Sequence, residues 1–278
     1  MRGISYLKSE NTQNNMNKAI KLLTYSAKLK NKFAQYALAL IFYAGLSPFI
    51  KNDINKAIYY ATLSAEGGCY ESKLLLGMIY YEGIYTHRDI KNSISYLKEC
   101  SSLDFHEAKN NLGVIYKNER KNIFVAIQYF NEAINICNSP FALFNLSKFY
   151  FFGIGVDKDI NISIELMEKA VGNGFYDANI FLFLLHFKSN DEKLINKSYL
   201  YLQKIKYEPL AYLLEYEIDT LLLFYEKYDM VYSFIIDPVY DFSYFLLYKE
   251  FPVFKKEEAK KPKDINNLFY EGFSINLK

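Results

Sequence analysis

The chain has 278 residues, of which 51% are hydrophobic and 18% aromatic, with only 12 Gly and 6 Pro. This composition can build a sizeable core and excludes a disordered chain, and the scarcity of turn residues favours helices over many short strands. The formal net charge of +2, from 33 basic and 31 acidic residues, gives no global attraction to nucleic acid or to a membrane surface.

Residues 1–32 are predicted to form an N-terminal segment with a capping helix. The first 15 residues contain one Arg and a short apolar patch, whereas a secretory signal needs an apolar stretch of roughly 7 to 15 residues. Apolar runs such as Phe181–Leu185 are far short of the ~20 residues that span a membrane. Three cysteines without CxxC spacing fit reduced thiols. We therefore expect a cytoplasmic protein without a membrane span.

From residue 33 onward, one pattern recurs with steps of 38, 36, 34 and 36 residues. A small residue is followed by Leu at offset 4, a second small residue at offset 5 and an aromatic residue at offset 8, which all lie on one helical face. Small side chains let a neighbouring helix approach, so these are packing positions. The full motifs are Ala34/Leu38/Ala39/Phe42, Ser72/Leu76/Gly77/Tyr80, Ala108/Leu112/Gly113/Tyr116 and Ala142/Leu146/Ser147/Tyr150, and Ala178 opens a fifth.

A second helix is predicted after each full motif, marked by small residues 36, 33 and 37 residues apart. These residues are Ala57, Ser93, Ala126 and Ser163. The chain must then reverse, four residues before the next first-column residue. Gly68 and Gly174 stand at that point, and Asp104 and Asn138 replace them elsewhere. Because these residue types tolerate a positive φ, the column predicts a recurring helix C-terminal turn.

Three segments carry a family resemblance. Residues 150–159 read YFFGIGVDKD, followed by MEKAV at 167–171 and GFYDA at 174–178. AEGGCYES at 65–72 with LGMIYYEG at 76–83 is a second match, and His106–Ala108 with Leu112–Gly113 and Tyr116 is a third. These segments resemble Sel1-like repeats, which are related to tetratricopeptide repeats. The resemblance implies an all-α, right-handed α-solenoid of about five to six antiparallel helical hairpins that acts as a scaffold or adaptor.

On this basis residues 33–176 are assigned to the repeat solenoid. Residues 177–254 are assigned to degenerate helical repeats and a C-terminal helical cap, because Phe183 stands where a small residue belongs. Within them, Tyr199–Phe254 holds 17 aromatic residues and has a local charge of −5, so this segment is either a cap or a binding surface. Residues 255–278 are predicted to be a charged linker and tail.

The residues that catalysis would need are sparse. None of the three histidines and three cysteines pairs at ligand or triad spacing, which predicts no catalytic residue, no metal and no cofactor. His106 shares a repeat column with Tyr70 and Tyr176, and Cys100 shares one with Ser64 and Ala170, so both are interpreted as packing residues. Gly153-Ile-Gly155 lacks the other residues of a phosphate loop.

The partner-binding face is predicted from offsets 3, 6 and 10, which point away from the second helix and should line a concave surface. We add two tyrosines from the aromatic segment. The candidate residues are Leu75, Met78, Glu82, Asn111, Asn118, Asn145, Lys148, Phe152, Tyr212 and Tyr216.

Two functions follow as hypotheses. The first is a scaffold whose groove holds another protein or a peptide. The second is an immunity protein that neutralises a toxin, with the acidic aromatic segment covering a basic active site. An enzyme is a third class, disfavoured by the missing catalytic groups.

Overall fold

Ten α-helices occupy the residues that the computed structural model describes, which are 13–45, 50–83, 86–175, 178–189 and Lys193. These residues fall into two compact units, and the chain passes from the first to the second between Cys100 and Ser101. The helices of the first unit are α1 Gln13–Lys28, α2 Lys32–Ala44, α3 Ile54–Glu66, α4 Tyr70–Glu82 and α5 Ile90–Ser101, the last residue of which crosses the boundary. Those of the second unit are α6 His106–Asn118, α7 Ile123–Cys137, α8 Pro140–Phe152, α9 Ile160–Gly172 and α10 Asn179–Ser189.

Consecutive helices pair as hairpins. In the first unit α2 contacts both α3 and α4, and in the second unit α6 contacts both α7 and α8. The all-helical hairpin architecture predicted from the repeat is therefore confirmed, and none of the described helices is both long and apolar enough to cross a bilayer.

The helices that carry the repeat motif, α2, α4, α6, α8 and α10, are called first helices below. Their packing columns, which are the motif positions at offsets 0, 4, 5 and 8, are filled as predicted. All five first-column residues, from Ala34 to Ala178, are buried, and so are the Leu residues at offset 4. The aromatic residues at offset 8 are half-buried, and those of α2, α4 and α6 stack on the second helix: Phe42 on Tyr60, Tyr80 on Tyr96 and Tyr116 on Tyr129, with centroids 5.9, 6.0 and 5.5 Å apart. In these three hairpins a small-residue contact and an aromatic pair hold the two helices together.

The small residues at offset 5 allow close approach between the paired helices. A Cβ added to Gly77 would come within 2.7 Å of Leu97 Cγ, and one added to Gly113 within 2.6 Å of Phe130 Cε1. Nearby, the Ser93 hydroxyl donates to the Gly77 carbonyl at 2.7 Å. A larger residue at offset 5 would separate the helices and break such contacts.

The predicted turn geometry is present at every equivalent position. Gly68 and Gly174 have φ of 81° and 97°, and Asp104 and Asn138 have φ of 59° and 53°. The same turn after α1 holds Lys30 at φ 60°, a residue that the sequence reading did not single out.

Capping side chains define where the second helices begin. Asp53, Asn122 and Asp159 each accept a hydrogen bond from a backbone N–H of the first turn, as N-cap residues do. Their own backbone N–H groups donate back to the carbonyl of the offset-8 aromatic residue, for example Asp159 to Tyr150 at 2.8 Å. The loop between paired helices is therefore fixed at both ends. The shortened loop after α6 follows the same rule although it contains no glycine, with Lys121 at φ 50°.

The weakening of the repeat after Asp177 does not interrupt the helix pattern, because α10 follows α9 and contacts it. Phe183 is buried at the offset where the earlier first helices carry Ala, Gly or Ser. The rest of the predicted 177–254 segment, from residue 194 on, and the predicted tail 255–278 lie outside the described residues.

Candidate partner-binding face

The candidate residues of the first unit lie on α4. Leu75 and Met78 are buried, and Glu82 is half-buried in the last turn. The Tyr43 hydroxyl of α2 donates to Glu82 Oε2 at 2.6 Å. This bond links neighbouring first helices and orients the carboxylate.

In the second unit, Asn111 and Asn145 are buried and belong to one hydrogen-bond network. Asn145 Nδ2 on α8 donates to Oδ1 of Asn110 on α6 at 2.9 Å, and Asn110 Nδ2 donates to Asn111 Oδ1 at 3.2 Å. Buried amides are costly unless bonded, so this network fixes the register of α8 against α6.

Lys148 is the most unusual of the candidate residues, because only 1% of it is exposed. Its Nζ lies 5.7 Å from the centroid of the Phe144 ring, which is itself fully buried. Burial of a lysine is unfavourable without compensating interactions, and a desolvated cation over an aromatic face provides one. The ammonium group is therefore part of the interior of the second unit.

Asn118 and Phe152 occupy the last turns of α6 and α8 and are half-buried. The Phe152 ring meets that of Phe151 edge to face, with centroids 4.8 Å apart. Glu82 in the first unit stands at the same offset, 10, so within each unit the partly accessible candidate residues lie in the C-terminal turn of a first helix.

Five of the candidate residues expected to line a concave surface are buried instead, namely Leu75, Met78, Asn111, Asn145 and Lys148. The reason is that a first helix packs against the next first helix as well as against its own second helix, as α6 does with α8. Their contact with a partner stays a prediction. Tyr212 and Tyr216 lie outside the described residues.

Sequence reasoning also missed Asn110, which joins α6 to α8. A signal was available in the apolar run of residues 74–79 on α4, because a helix that is hydrophobic on all sides is buried on all sides. The polar residues Asn110 and Asn111 on α6 occupy the repeat positions at which this apolar run begins on α4. They are therefore expected to lie in a buried stretch.

One arrangement in the second unit has the residue types of a catalytic triad. His106 Nδ1 lies 3.3 Å from Ser139 Oγ, and its Nε2 lies 3.1 Å from Glu107 Oε1. Ser139 is fully buried, so a substrate carbonyl cannot approach its hydroxyl. The geometry supports the packing role that the repeat column predicts for His106.

The cysteine thiols are all free. Cys100 is fully buried, its Sγ lies 3.3 Å from the Tyr70 carbonyl, and burial raises its pKa to about 12. A thiol with such a pKa is not a nucleophile at neutral pH. Across the described ranges, His, Cys, Asp and Glu side chains form no group of three that could hold a metal ion.

Comparisons with known proteins agree with this architecture. The sequence model of the Sel1 repeat matches residues 1–31, 32–69, 71–103, 106–135 and 140–175, more than half of the chain. No curated protein sequence matches the chain.

Solved structures provide several matches to the fold. A Sel1 repeat protein from Oxalobacter formigenes matches with a TM-score of 0.60 and 20% identity, over 71% of this chain and 82% of that one. A protective antigen of uropathogenic Escherichia coli with an SLR fold matches with a TM-score of 0.53 and 22% identity, over 74% and 48%. An immunity protein from Pseudomonas aeruginosa matches with a TM-score of 0.50 and 16% identity, over 80% and 86%. With its repeated hairpins, its filled packing columns and five matched repeats, the chain belongs to the Sel1 repeat family.

Proposed function

We propose that the chain is a non-catalytic scaffold that binds another protein or a peptide. The observation that carries the proposal is a contrast within the repeated hairpins. Their packing columns are buried, whereas the last turns of the first helices are partly accessible, at Glu82, Asn118 and Phe152. Such repeats commonly display binding residues at equivalent positions of successive units.

The three residues offer different chemistry. Glu82 presents a carboxylate already held by Tyr43, Asn118 an amide, and Phe152 an aromatic ring. An amide can bond the backbone of an extended peptide, and a partly exposed ring can anchor an apolar side chain. The partner is therefore expected to contribute both polar backbone and an apolar anchor.

The test uses a variant that carries both Asn118→Ala and Phe152→Ala in the second unit. This variant and the unaltered chain each serve as bait for affinity capture of protein partners from the native host. Because the variant lacks an aromatic anchor and a hydrogen bond, it should bind a partner captured by the unaltered chain about tenfold more weakly or worse. The matched control is Asn131→Ala with Phe124→Ala, which removes the same two residue types from exposed positions of α7. Equal capture by both variants, with helicity unchanged, would reject this binding face.

The inhibitor hypothesis remains the second candidate. It is supported by the local charge of −5 over Tyr199–Phe254 and by the likeness in fold to an immunity protein. Binding of a basic toxin through an acidic segment should weaken steeply as salt is added, because exposed charges are screened. A partner whose association rate is insensitive to salt would argue against it.

We propose a reducing compartment such as the cytoplasm as the site of action. The three free thiols support this location, since disulfides form and persist in oxidising compartments. Fractionation of the host would test it, and recovery outside the cytoplasm would oppose it.

A further inference from the structure

Large hydrophobic side chains are exposed in and beside the turn between α1 and α2. Tyr25 and Leu29 are each 67% exposed, and Phe33 is 61% exposed. Four of the nine large hydrophobic residues exposed among the described residues lie between Leu22 and Phe33. Single exposed hydrophobic residues are ordinary on a protein surface, but a cluster indicates an interaction site.

The turn and the two helices beside it are basic. Residues 13–45 contain five lysines and no acidic residue, although the whole chain is nearly neutral. Lys28 and Lys30 are exposed on either side of Leu29. The equivalent turns differ: Leu103 is followed by the acidic Asp104, and Gly68 is preceded by Gly67 and Glu66.

The backbone of Lys30 adopts an unfavourable conformation. Its φ of 60° is the left-handed conformation that the equivalent turns give to Gly, Asp or Asn. A residue with a Cβ and a long side chain is disfavoured there, and such outliers are often kept for function.

We propose that the first-turn patch, defined as Tyr25, Lys28, Leu29, Lys30 and Phe33, docks the protein on an anionic lipid bilayer. The charge of the patch is complementary to acidic headgroups, and each nearby lysine contributes to such binding. Leu29 and Phe33 flank a turn and can enter the boundary between headgroups and acyl chains, while Tyr25 suits the interface itself. The inference concerns other residues than those of the proposed scaffold face and does not depend on that proposal.

The test is co-sedimentation of the full chain with phosphatidylcholine vesicles and with vesicles in which phosphatidylglycerol replaces part of that lipid. The unaltered chain should pellet with the anionic vesicles and much less with the neutral ones, and added salt should reduce the bound fraction. Lys28→Gln with Lys30→Gln should lower the partition coefficient by about fivefold per lysine. Leu29→Ser with Phe33→Ser should lower it by about tenfold or more at the same charge.

Matched controls distinguish binding through the patch from non-specific binding of exposed lysines and aromatic rings to vesicles. Lys91→Gln with Lys98→Gln removes two exposed lysines from α5, and Phe124→Ser removes a ring that is 71% exposed on α7. Both controls should keep the unaltered partition coefficient. Equal pelleting with neutral and anionic vesicles, equal losses in the controls, or binding to an acidic polyglutamate peptide but to neither vesicle would overturn the proposal.

Discussion

Gly113 of α6 faces the ring of Phe130 on α7 so closely that a Cβ on Gly113 would stand 2.6 Å from Cε1. The ring itself is fully buried and meets Phe149 edge to face, with centroids 5.6 Å apart. It therefore has little room to move. This contact shows why the offset-5 column needs small residues.

Gly113→Ala should reduce the free energy of unfolding by about 1–3 kcal/mol, the usual range for overpacking. The loss is expected even though Ala favours a helix by ~1 kcal/mol over Gly. Gly172→Ala is the matched control, because nothing lies within 4 Å of the added Cβ. That variant should be neutral or more stable. Chemical denaturation would measure both, and a stabilised Gly113→Ala would contradict the packing argument.

Lys30→Gly should raise the free energy of unfolding by about 1 kcal/mol, since glycine adopts a positive φ without a Cβ clash. The reciprocal change, Gly174→Ala, should lower it by a similar amount. Nothing lies within 4 Å of a Cβ on Gly174, so backbone strain alone would act there. Thermal melts of the two variants should shift in opposite directions, and shifts of the same sign would refute the turn assignment.

Asn145→Ala should destabilise the second unit by about 1–3 kcal/mol, because it leaves the buried amide of Asn110 without the bond that Asn145 donates. Asn118→Ala, at a half-buried position of α6, should reduce the free energy of unfolding by less than Asn145→Ala does. Urea unfolding of both variants would separate an interior role from an accessible one. Equal stability of the two variants would show that the network contributes little.

Asp53 should make stability depend on acid. Hydrogen bonding to Lys56 lowers the pKa of Asp53 from its ordinary value of 3.8, so the folded state favours the ionised carboxylate. The resulting contribution is present above the ordinary pKa and is lost as the pH falls through the lower folded value. Between about pH 5 and about pH 2, the melting temperature of Asp53→Asn should therefore fall less than that of the unaltered chain. Parallel curves would exclude a role for this ionisation.

Thiol labelling should distinguish the three cysteines. Cys137 is exposed, whereas Cys69 and Cys100 are buried, and burial raises the pKa of both buried thiols. A thiol reagent should modify Cys137 in the native protein and reach the other two only after unfolding. Mass spectrometry of partly labelled protein would locate the label, and early modification of Cys100 would show that its site opens readily.

The hairpin pattern was predictable because its causes are local. The spacing of small residues, Leu and aromatic residues places them on one helical face, and the positive φ at Asp104 and Asn138 follows from residue types that tolerate it. The second-helix starts were located in the same way, from small residues such as Ala57 and Ser163, which are buried. Each of these inferences requires only the geometry of one helix or one turn.

The binding face was less predictable, because burial depends on neighbours that are distant in sequence. The helical wheel places Asn145 and Lys148 away from the second helix, but it does not show that α6 and α8 pack together. Sequence alone therefore determined the repeat, the turns and the packing columns of this chain. Tertiary structure decided which polar side chains enter the interior and left Tyr25, Leu29 and Phe33 exposed, since exposure depends on contacts among helices.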